Sequence, residues 1–550
     1  MTGDSVASRP ISTPRLSFPS AEIVDGSCVA RQRGQNGTGR NHSLVTSGAI
    51  NGAATDADMS ASGDTVSAVA LHDQEIDGRS SARTRILALA DPGSFTEFGS
   101  QARHHVTAFE MQRKRPAGDG VVTGVARIDG QPVGLFAQDP TVLGGSLGEI
   151  HAGKIARIIS YAGRARTPVV GLIDSGGARI QEGVAALDGY GAIFQGTVGL
   201  SGRVPQISIV LGPCAGGAVY SPALTDIVIM RRERAHMFLT GPRVVKAVTF
   251  EDVSLTDLGG AEVHATSSGV AHLVATDNHE AFDLARRVLS YLPSSCWEAA
   301  THTRSVDPEP MLTVPTNHRH PYDVRGVIRG VVDAGSFLEL QPRFARNIVV
   351  GFGRIEGRPV GVVANQPQVL AGTLDINASE KAARFVRMCD AFGLPLVTLV
   401  DTPGFLPGTE QEAAGIIRKG AKLLYAYAEA TVPRVTVVVR KAFGGAYIVM
   451  NSKSLGADAA FAWPGAELAV MGAEGAIDVI YRRELEADPS RREQLIDRYR
   501  AEGMAPHIPA ERLSIDEVIT PEQTRPAIAA ILRSLAGALR PGFRHDNLPQ

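Results

Sequence analysis

From residue 122 onward the chain repeats itself, and this limits the available folds more than any other feature. VTGVARIDGQPVG at 122–134 returns as VVGFGRIEGRPVG at 349–361, so that Pro132 falls on Pro359, 227 positions later. At the same shift LGGSL at 143–147 returns as LAGTL at 370–374, Lys154 and Arg157 fall on Lys381 and Arg384, and TPVVGLID at 167–174 becomes LPLVTLVD at 394–401. VPQISIV at 204–210 matches VPRVTVV at 432–438, one position further on, and DPGSF at 91–95 has a looser copy, DAGSF, at 333–337. Several blocks in register mean one structural unit used twice. The expected organisation is a first copy over 76–317 and a second over 318–550.

Inside each copy, short apolar runs such as Val169–Ile173 and Ile207–Leu211 are bounded by Gly and Pro and separated by helical patterns. Unbroken apolar strands alternating with helices predict an α/β unit with a mostly parallel, buried sheet. Helices are expected around 379–388 and 418–430, where apolar residues recur at spacings of three and four. Residues 1–75 are rich in Ser, Thr, Gly, Ala and Asp without apolar periodicity, and are expected to be disordered, with order starting near Ile76. A transit peptide is the rival reading of that stretch. Pro10, Pro14 and Pro19 argue against the amphipathic helix it would need.

The 55 Lys+Arg against 57 Asp+Glu give a net charge of -2, which excludes a global electrostatic pull toward nucleic acid or an anionic membrane. Cys28, Cys214, Cys296 and Cys389 are too scattered for a zinc ribbon or a disulfide framework. No apolar run has the length of a membrane span or a secretory signal core. These features predict a cytoplasmic chain. Glycine is in excess, at 59 of 550 residues, about 11% against a usual 7%.

Much of that glycine falls at strand ends. Gly216 and Gly217 follow the apolar strand 207–211 and open a helix, and Gly444 and Gly445 stand at the matching place in the second copy, with Ala446 aligned to Ala218. Without a Cβ, backbone N–H groups there can approach a ligand oxygen, and the first turn of a helix offers further unpaired donors, an arrangement suited to an oxyanion. A tight turn with close helix–strand packing would place glycines in the same way. Gly176 and Gly177 in DSGGAR, with Gly404 in DTPGFLPG, form a second family of turns that can line the cleft. Gly145 and Gly372, in LGGSL and LAGTL, are candidates for the second donor of each hole. Asp174 and Asp401 read as structural, and His151 is expected on the surface of a loop or helix. The chain carries no G-x-S-x-G elbow, P-loop, H-E-x-x-H or G-x-G-x-x-G turn in a suitable context. Backbone donors with an imported reactive group suit this inventory better than covalent catalysis.

GDGVVTG at 118–124, FAQD at 136–139, GGSLGE at 144–149, DSGGARIQEG at 174–183, GPCAGGAVY at 212–220, TPGFLPGT at 402–409, RKAFGGAY at 440–447 and AWP at 462–464 together resemble the carboxyltransferase (β) subunits of biotin-dependent acyl-CoA carboxylases. The type is the propionyl-CoA/acetyl-CoA carboxylase β chain, and the resemblance covers about residues 76–545. It implies tandem duplicated crotonase-like domains, the first holding acyl-CoA and the second receiving carboxybiotin, in a homo-hexamer whose sites lie between the first half of one subunit and the second half of another. It further implies that the Gly216/Gly217 turn stabilises the thioester enolate and Gly445/Ala446 the ureido oxygen of biotin, with no metal. No Met-Lys-Met biotinylation site and no ATP-grasp loop are present, so the biotin must come on a separate biotin carboxylase/biotin carboxyl carrier (α) subunit.

Two positions depart from the family. The helical lead-in before Ala82 is replaced by the low-complexity stretch. Ile448 stands where propionyl-type relatives often carry Asp and resembles the acetyl-accepting type. Two alternatives share the resemblance: an acyl-CoA decarboxylase α subunit of a sodium-pump complex, which runs the transfer in reverse, and an inactive structural subunit of a carboxylase hexamer.

Overall fold

The computed structural model describes residues 81–538 and 545–549; the stretch 1–75 and the onset of order near Ile76 lie outside them. The repeat becomes two eight-stranded sheets of one topology. The first comprises β1 (Thr96–Phe98), β2 (Val121–Ile128), β3 (Gln131–Gln138), β4 (Val169–Ser175), β5 (Gln206–Ala215), β6 (Ile227–Arg231), β7 (His236–Phe238) and β8 (Leu273–Ala275). The second comprises β9 (Leu338–Leu340), β10 (Ile348–Ile355), β11 (Arg358–Asn365), β12 (Leu396–Thr402), β13 (Arg434–Phe443), β14 (Ala459–Ala462), β15 (Glu467–Ala469) and β16 (Glu517–Val518). Their orders are β1-β2-β3-β4-β5-β6-β8 with β7 beside β5, and β9-β10-β11-β12-β13-β14-β16 with β15 beside β13.

β2 and β3, like β10 and β11, form an antiparallel hairpin. Asp129 and Gly130 close the first and Glu356 and Gly357 the second, all with positive φ, which a two-residue loop requires if its twist is to match the strands. Each hairpin is pinned by the acid of the DxGSF copy. Asp91 accepts the amides of Asp129 and Gly130 at 2.9 and 2.8 Å, and Asp333 those of Glu356 and Gly357 at 3.1 and 2.8 Å.

The remaining neighbours of the central strands are parallel and therefore need crossovers. The helices Glu149–Ala165 and Val184–Leu200 supply them on either side of β4, and Ile376–Ala391 and Ile416–Glu429 on either side of β12; the last two contain the expected helical stretches. β4 and β12 are buried at every residue, as strands covered on both faces should be. One apolar cluster runs through both halves, joining Leu135 and Phe282 to Phe352 and Phe385. The C-terminal residues also bridge them: His545 meets Asp390, and Asn547 bonds Ser201 and Asp226.

Candidate active site

Three turns meet at the C-terminal ends of β3, β4 and β5, and three more at the ends of β11, β12 and β13. In the first half the Gly176 amide donates to the Gly144 carbonyl at 3.1 Å, Ser175 Oγ to the Gly145 carbonyl at 2.7 Å, and Leu147 N to the Gly177 carbonyl at 2.9 Å. Gly177 in turn lies against the end of β5, where a Cβ would come 2.8 Å from the Ala215 carbonyl oxygen. Gly145, Gly176, Gly177, Gly216 and Gly217 are thus brought into one cluster. In the second half Leu374 N donates to the Gly404 carbonyl at 3.0 Å and Leu406 N to the Leu374 carbonyl at 2.8 Å. Phe405 lies beside Gly445. Gly372, Gly404 and Gly445 are therefore brought into a matching cluster, with Ala446 buried and Ile448 exposed on the short helix that Gly444 opens.

The four glycines of the two strand-to-helix turns have different reasons to be glycine. Gly216 and Gly444 have φ of +64° and +59°, a conformation that favours glycine whatever surrounds it. Gly217 and Gly445 have no such φ. The nearest atoms a Cβ on Gly217 would meet belong to the Tyr190 ring, at 3.5 Å, and one on Gly445 would meet Phe405 at 3.8 Å, both ordinary contacts. The fold does not require glycine at 217 or 445; their bare main chain leaves space over the first amides of each helix. By register Gly217 pairs with Gly445 and Ala218 with Ala446, so the donor pair expected in the second half sits one residue further along than that in the first. Ile448 is exposed on the short helix Gly444–Val449, and its counterpart Tyr220 is exposed as well.

The charged groups behind the turns are buried and paired. Asp174 meets Arg85 Nη1 at 2.9 Å, and Asp401 meets Arg440 Nε at 2.9 Å. Arg440 also lies over the Tyr322 ring, 4.8 Å from its centroid, and donates to the His320 carbonyl. His151 is not on the surface: it is fully buried in the first turn of its helix, with its ring beside the Asp119 carbonyl at 3.0 Å and Gln138 Nε2 at 3.3 Å. The helix begins immediately after the LGGSL turn, and that turn packs onto the sheet, so its first inward-facing residue is enclosed. Burial, reinforced by the nearby Arg179 charge, pushes the imidazole down to about 3 and keeps it neutral.

Sequence reasoning missed the group beside it. Arg179, fully buried, donates to Asp119 at 2.7 Å, to Glu182 at 2.6 Å and to the Ser146 carbonyl at 2.9 Å, tying the LGGSL turn to the DSGGAR turn. Burial raises the Asp119 carboxyl above its ordinary value, against the opposing pull of Arg179. The second half has no copy of this group: Arg346, Leu406 and Thr409 stand at the matching positions. Its LAGTL turn is held by Asn347 Nδ2 on the Thr373 carbonyl at 2.8 Å. Among the described residues no cluster of three or more His, Cys, Asp or Glu is placed to hold a metal ion, and no helix is long and apolar enough to cross a membrane.

Residues 73–546 match the family described as "Carboxyl transferase domain". The chain belongs to this carboxyl transferase family. This carboxyl transferase is 49% identical over 568 residues to the propionyl-CoA carboxylase beta chain of Saccharopolyspora erythraea, covering 99% of this chain and 100% of the relative. It is 50% identical over 486 residues to the methylmalonyl-CoA carboxyltransferase 12S subunit of Propionibacterium freudenreichii subsp. shermanii, covering 86% of this chain and 93% of the relative, and it is similar to the solved structure of a transcarboxylase 12S. That structure, a hexamer with methylmalonyl-coenzyme A and methylmalonic acid bound, superposes with a TM-score of 0.83 at 49% identity, covering 88% of this chain and 94% of the other. The duplicated crotonase-like fold is thereby shown.

Proposed function

We propose that this carboxyl transferase moves a carboxyl group from carboxybiotin, carried on a biotin carboxylase/biotin carboxyl carrier subunit, to the α carbon of a short-chain acyl-CoA such as acetyl-CoA or propionyl-CoA. The observation that carries the proposal is the pair of strand-to-helix turns, in two halves of one topology, each with a glycine that the fold itself does not need. In this reading 76–317 is the acyl-CoA side and 318–550 the carboxybiotin side.

The Gly216/Gly217 turn holds the thioester oxygen and stabilises it as it gains charge on loss of the α proton. Gly145, Gly176 and Gly177 set the wall of that pocket, and Gly372 and Gly404 the wall of the other. Gly445 and Ala446 fit the ureido oxygen of biotin, because Gly445 is exposed and its missing Cβ leaves the amides open to a planar ring. Bound carboxybiotin supplies CO2 and, at the ureido nitrogen so freed, the acceptor for the α proton. The chain's own side chains leave that role open: His151 is sealed and neutral, and Asp174 and Asp401 are neutralised by arginines.

Each half by itself offers only one side of such a site. Exposed apolar residues recur at matching places on the two halves: Tyr220 and Ile448, Leu239 and Val470, Val248 and Val479. Two surfaces related by the internal repeat can meet when the first half of one copy faces the second half of another, as a homo-hexamer with shared sites requires. The reading places the enzyme in the cytoplasm. Its test is Gly445→Val in the full chain with free biotin as acceptor and malonyl-CoA or methylmalonyl-CoA as donor. Transfer should be lost while the assembly's size in solution is kept; unchanged transfer would overturn the assignment.

A further inference from the structure

The two halves neutralise the same buried carboxylate with arginines taken from different places. Asp174 and Asp401 occupy matching positions at the ends of β4 and β12. In the second half the nearest counter-ion is Arg440, on the adjacent strand β13, with Lys441 Nζ further off at 3.9 Å. Its counterpart on β5 is Gly212, against which the Asp174 carboxylate packs so tightly that a Cβ would come 2.3 Å from Oδ1. In the first half the counter-ion is Arg85, on the helix Ala82–Leu89 ahead of β1. The matching helix is Val324–Val331, and there Arg85 is replaced by Val327, buried in the core. The register of the two helices is secured by their caps, Ser81 and Asp323, and by an ion pair found in both, Arg83 with Glu97 and Arg325 with Glu339.

Each half therefore has one arginine for its aspartate: Arg85 with Gly212, or Arg440 with Val327. The aspartate is bound into the donor architecture. Its main chain limits residue 145 or 372 to glycine, since a Cβ there would come 2.2 or 2.4 Å from the Asp174 or Asp401 carbonyl oxygen. Its amide donates to Gln138 in the first half and Asn365 in the second, at 3.2 and 3.3 Å. In the second half the carboxylate also accepts Lys441 N at 3.3 Å, three residues before Gly444. A carboxylate buried without its counter-ion will move or take up a proton, and the turns built on it will follow.

We propose that Arg85 and Arg440 are positioning residues, each serving the donor turns of its own half. Taken with the function proposed above, on which this rests, Arg85 governs the acyl-CoA side and Arg440 the biotin side. The acyl-CoA pocket thus depends on a helix outside its own sheet.

The experiment uses the full chain, with free biotin and methylmalonyl-CoA varied in turn, and assembly size as a control. Arg85→Met should lower kcat/KM for the acyl-CoA by about tenfold or more, with KM for biotin held within about twofold; Arg440→Met should raise KM for biotin in the mirror pattern. Removing both charges in Arg85→Met with Asp174→Asn should recover most of the loss. Arg85→Lys, which keeps the charge, should fall between the wild type and Arg85→Met. Equal damage to both substrates from Arg85→Met, or a double variant no better than the single, would overturn the proposal. An exchange of the two signatures would uphold the positioning role and overturn the assignment of the halves.

Discussion

Gly145 lies so close to the main chain of Asp174 that a Cβ on the glycine would come 2.2 Å from the Asp174 carbonyl oxygen. Its neighbour Gly144 has the same φ of +66° but nothing within 4 Å of the Cβ position, and the second half carries Ala371 there, at φ +54°. Gly144→Ala should therefore cost only the left-handed backbone term, about 1–2 kcal/mol. Gly145→Ala must also push two turns apart. We expect it to lower the thermal midpoint further and to abolish transfer, while Gly144→Ala keeps transfer. Gly372→Ala should repeat the Gly145 result in the other half, because its Cβ would lie 2.4 Å from the Asp401 carbonyl oxygen.

Arg179 offers a sharper contrast between the halves. Arg179→Leu installs the residue found at 406, but it leaves Asp119 and Glu182 buried without their shared cation, an imbalance worth about 3–5 kcal/mol. Glu182 also accepts the Glu149 amide at 2.7 Å, standing in for the side-chain cap that Gly148 lacks and Asp375 provides in the other half. Denaturant unfolding should show the loss, and adding Asp119→Asn and Glu182→Gln should recover part of it.

The repeat made the doubled sheet legible, because strand pairing keeps its register wherever turn chemistry keeps its spacing: the DxGSF acids are the same in both copies, and the hairpin loops keep their two-residue length and their second-position glycine. The glycine turns were legible for the same reason. The pairing of Asp174 with Arg85 was not, since its partners are 89 positions apart in the chain, although Gly212 falling on Arg440 was a visible sign that a charge had moved. His151 was misread because a single histidine has no periodicity of its own; its enclosure depends on Asp119 and Gln138, brought in from other elements.

Ile448 stands exposed on the donor helix of the second half, four residues after Gly444, and in the proposed hexamer that helix faces the acyl-CoA side of another copy. Replacing it with Asp exchanges an apolar wall for a charge and changes the room available to the acyl chain. One methylene in such a wall is worth roughly tenfold or more in kcat/KM. Ile448→Asp should shift the ratio of propionyl-CoA to acetyl-CoA carboxylation by that order, in favour of propionyl-CoA, with the assembly intact. An unchanged ratio in a competition assay would remove Ile448 from the acyl pocket.

The C-terminal residues make a pH-dependent contact whose sign can be worked out. His545 Nε2 lies 2.8 Å from Asp390 Oδ2. Burial pulls the imidazole down, but the Asp390 bond and charge outweigh it and leave it above its ordinary 6.5. Burial likewise pushes Asp390 up, and the His545 bond with the amides of Thr431 and Val432 holds it below 3.8. The His545 contribution is complete below the unfolded value and is lost as pH rises through the raised one; that of Asp390 is lost only as pH falls through its depressed value. Asp226, which accepts Asn547 Nδ2 at 2.9 Å, is pushed by burial up to about 6, so its ionisation weakens the folded state as pH rises toward neutrality and adds nothing further above it. Of His545, Asp390 and Asp226, only His545 changes between neutral and alkaline pH; Lys381 and Lys154, which burial pulls down to about 7 and about 8, act there with the opposite sign, so the His545 share is read from a variant. The Asn547 amide, which donates to Ser201 Oγ at 3.0 Å, should lose hydrogen-exchange protection over that range after correction for the intrinsic rate. His545→Gln should lose less protection than the unmodified chain over that range, and an equal or greater loss in the variant would reverse the sign argued here.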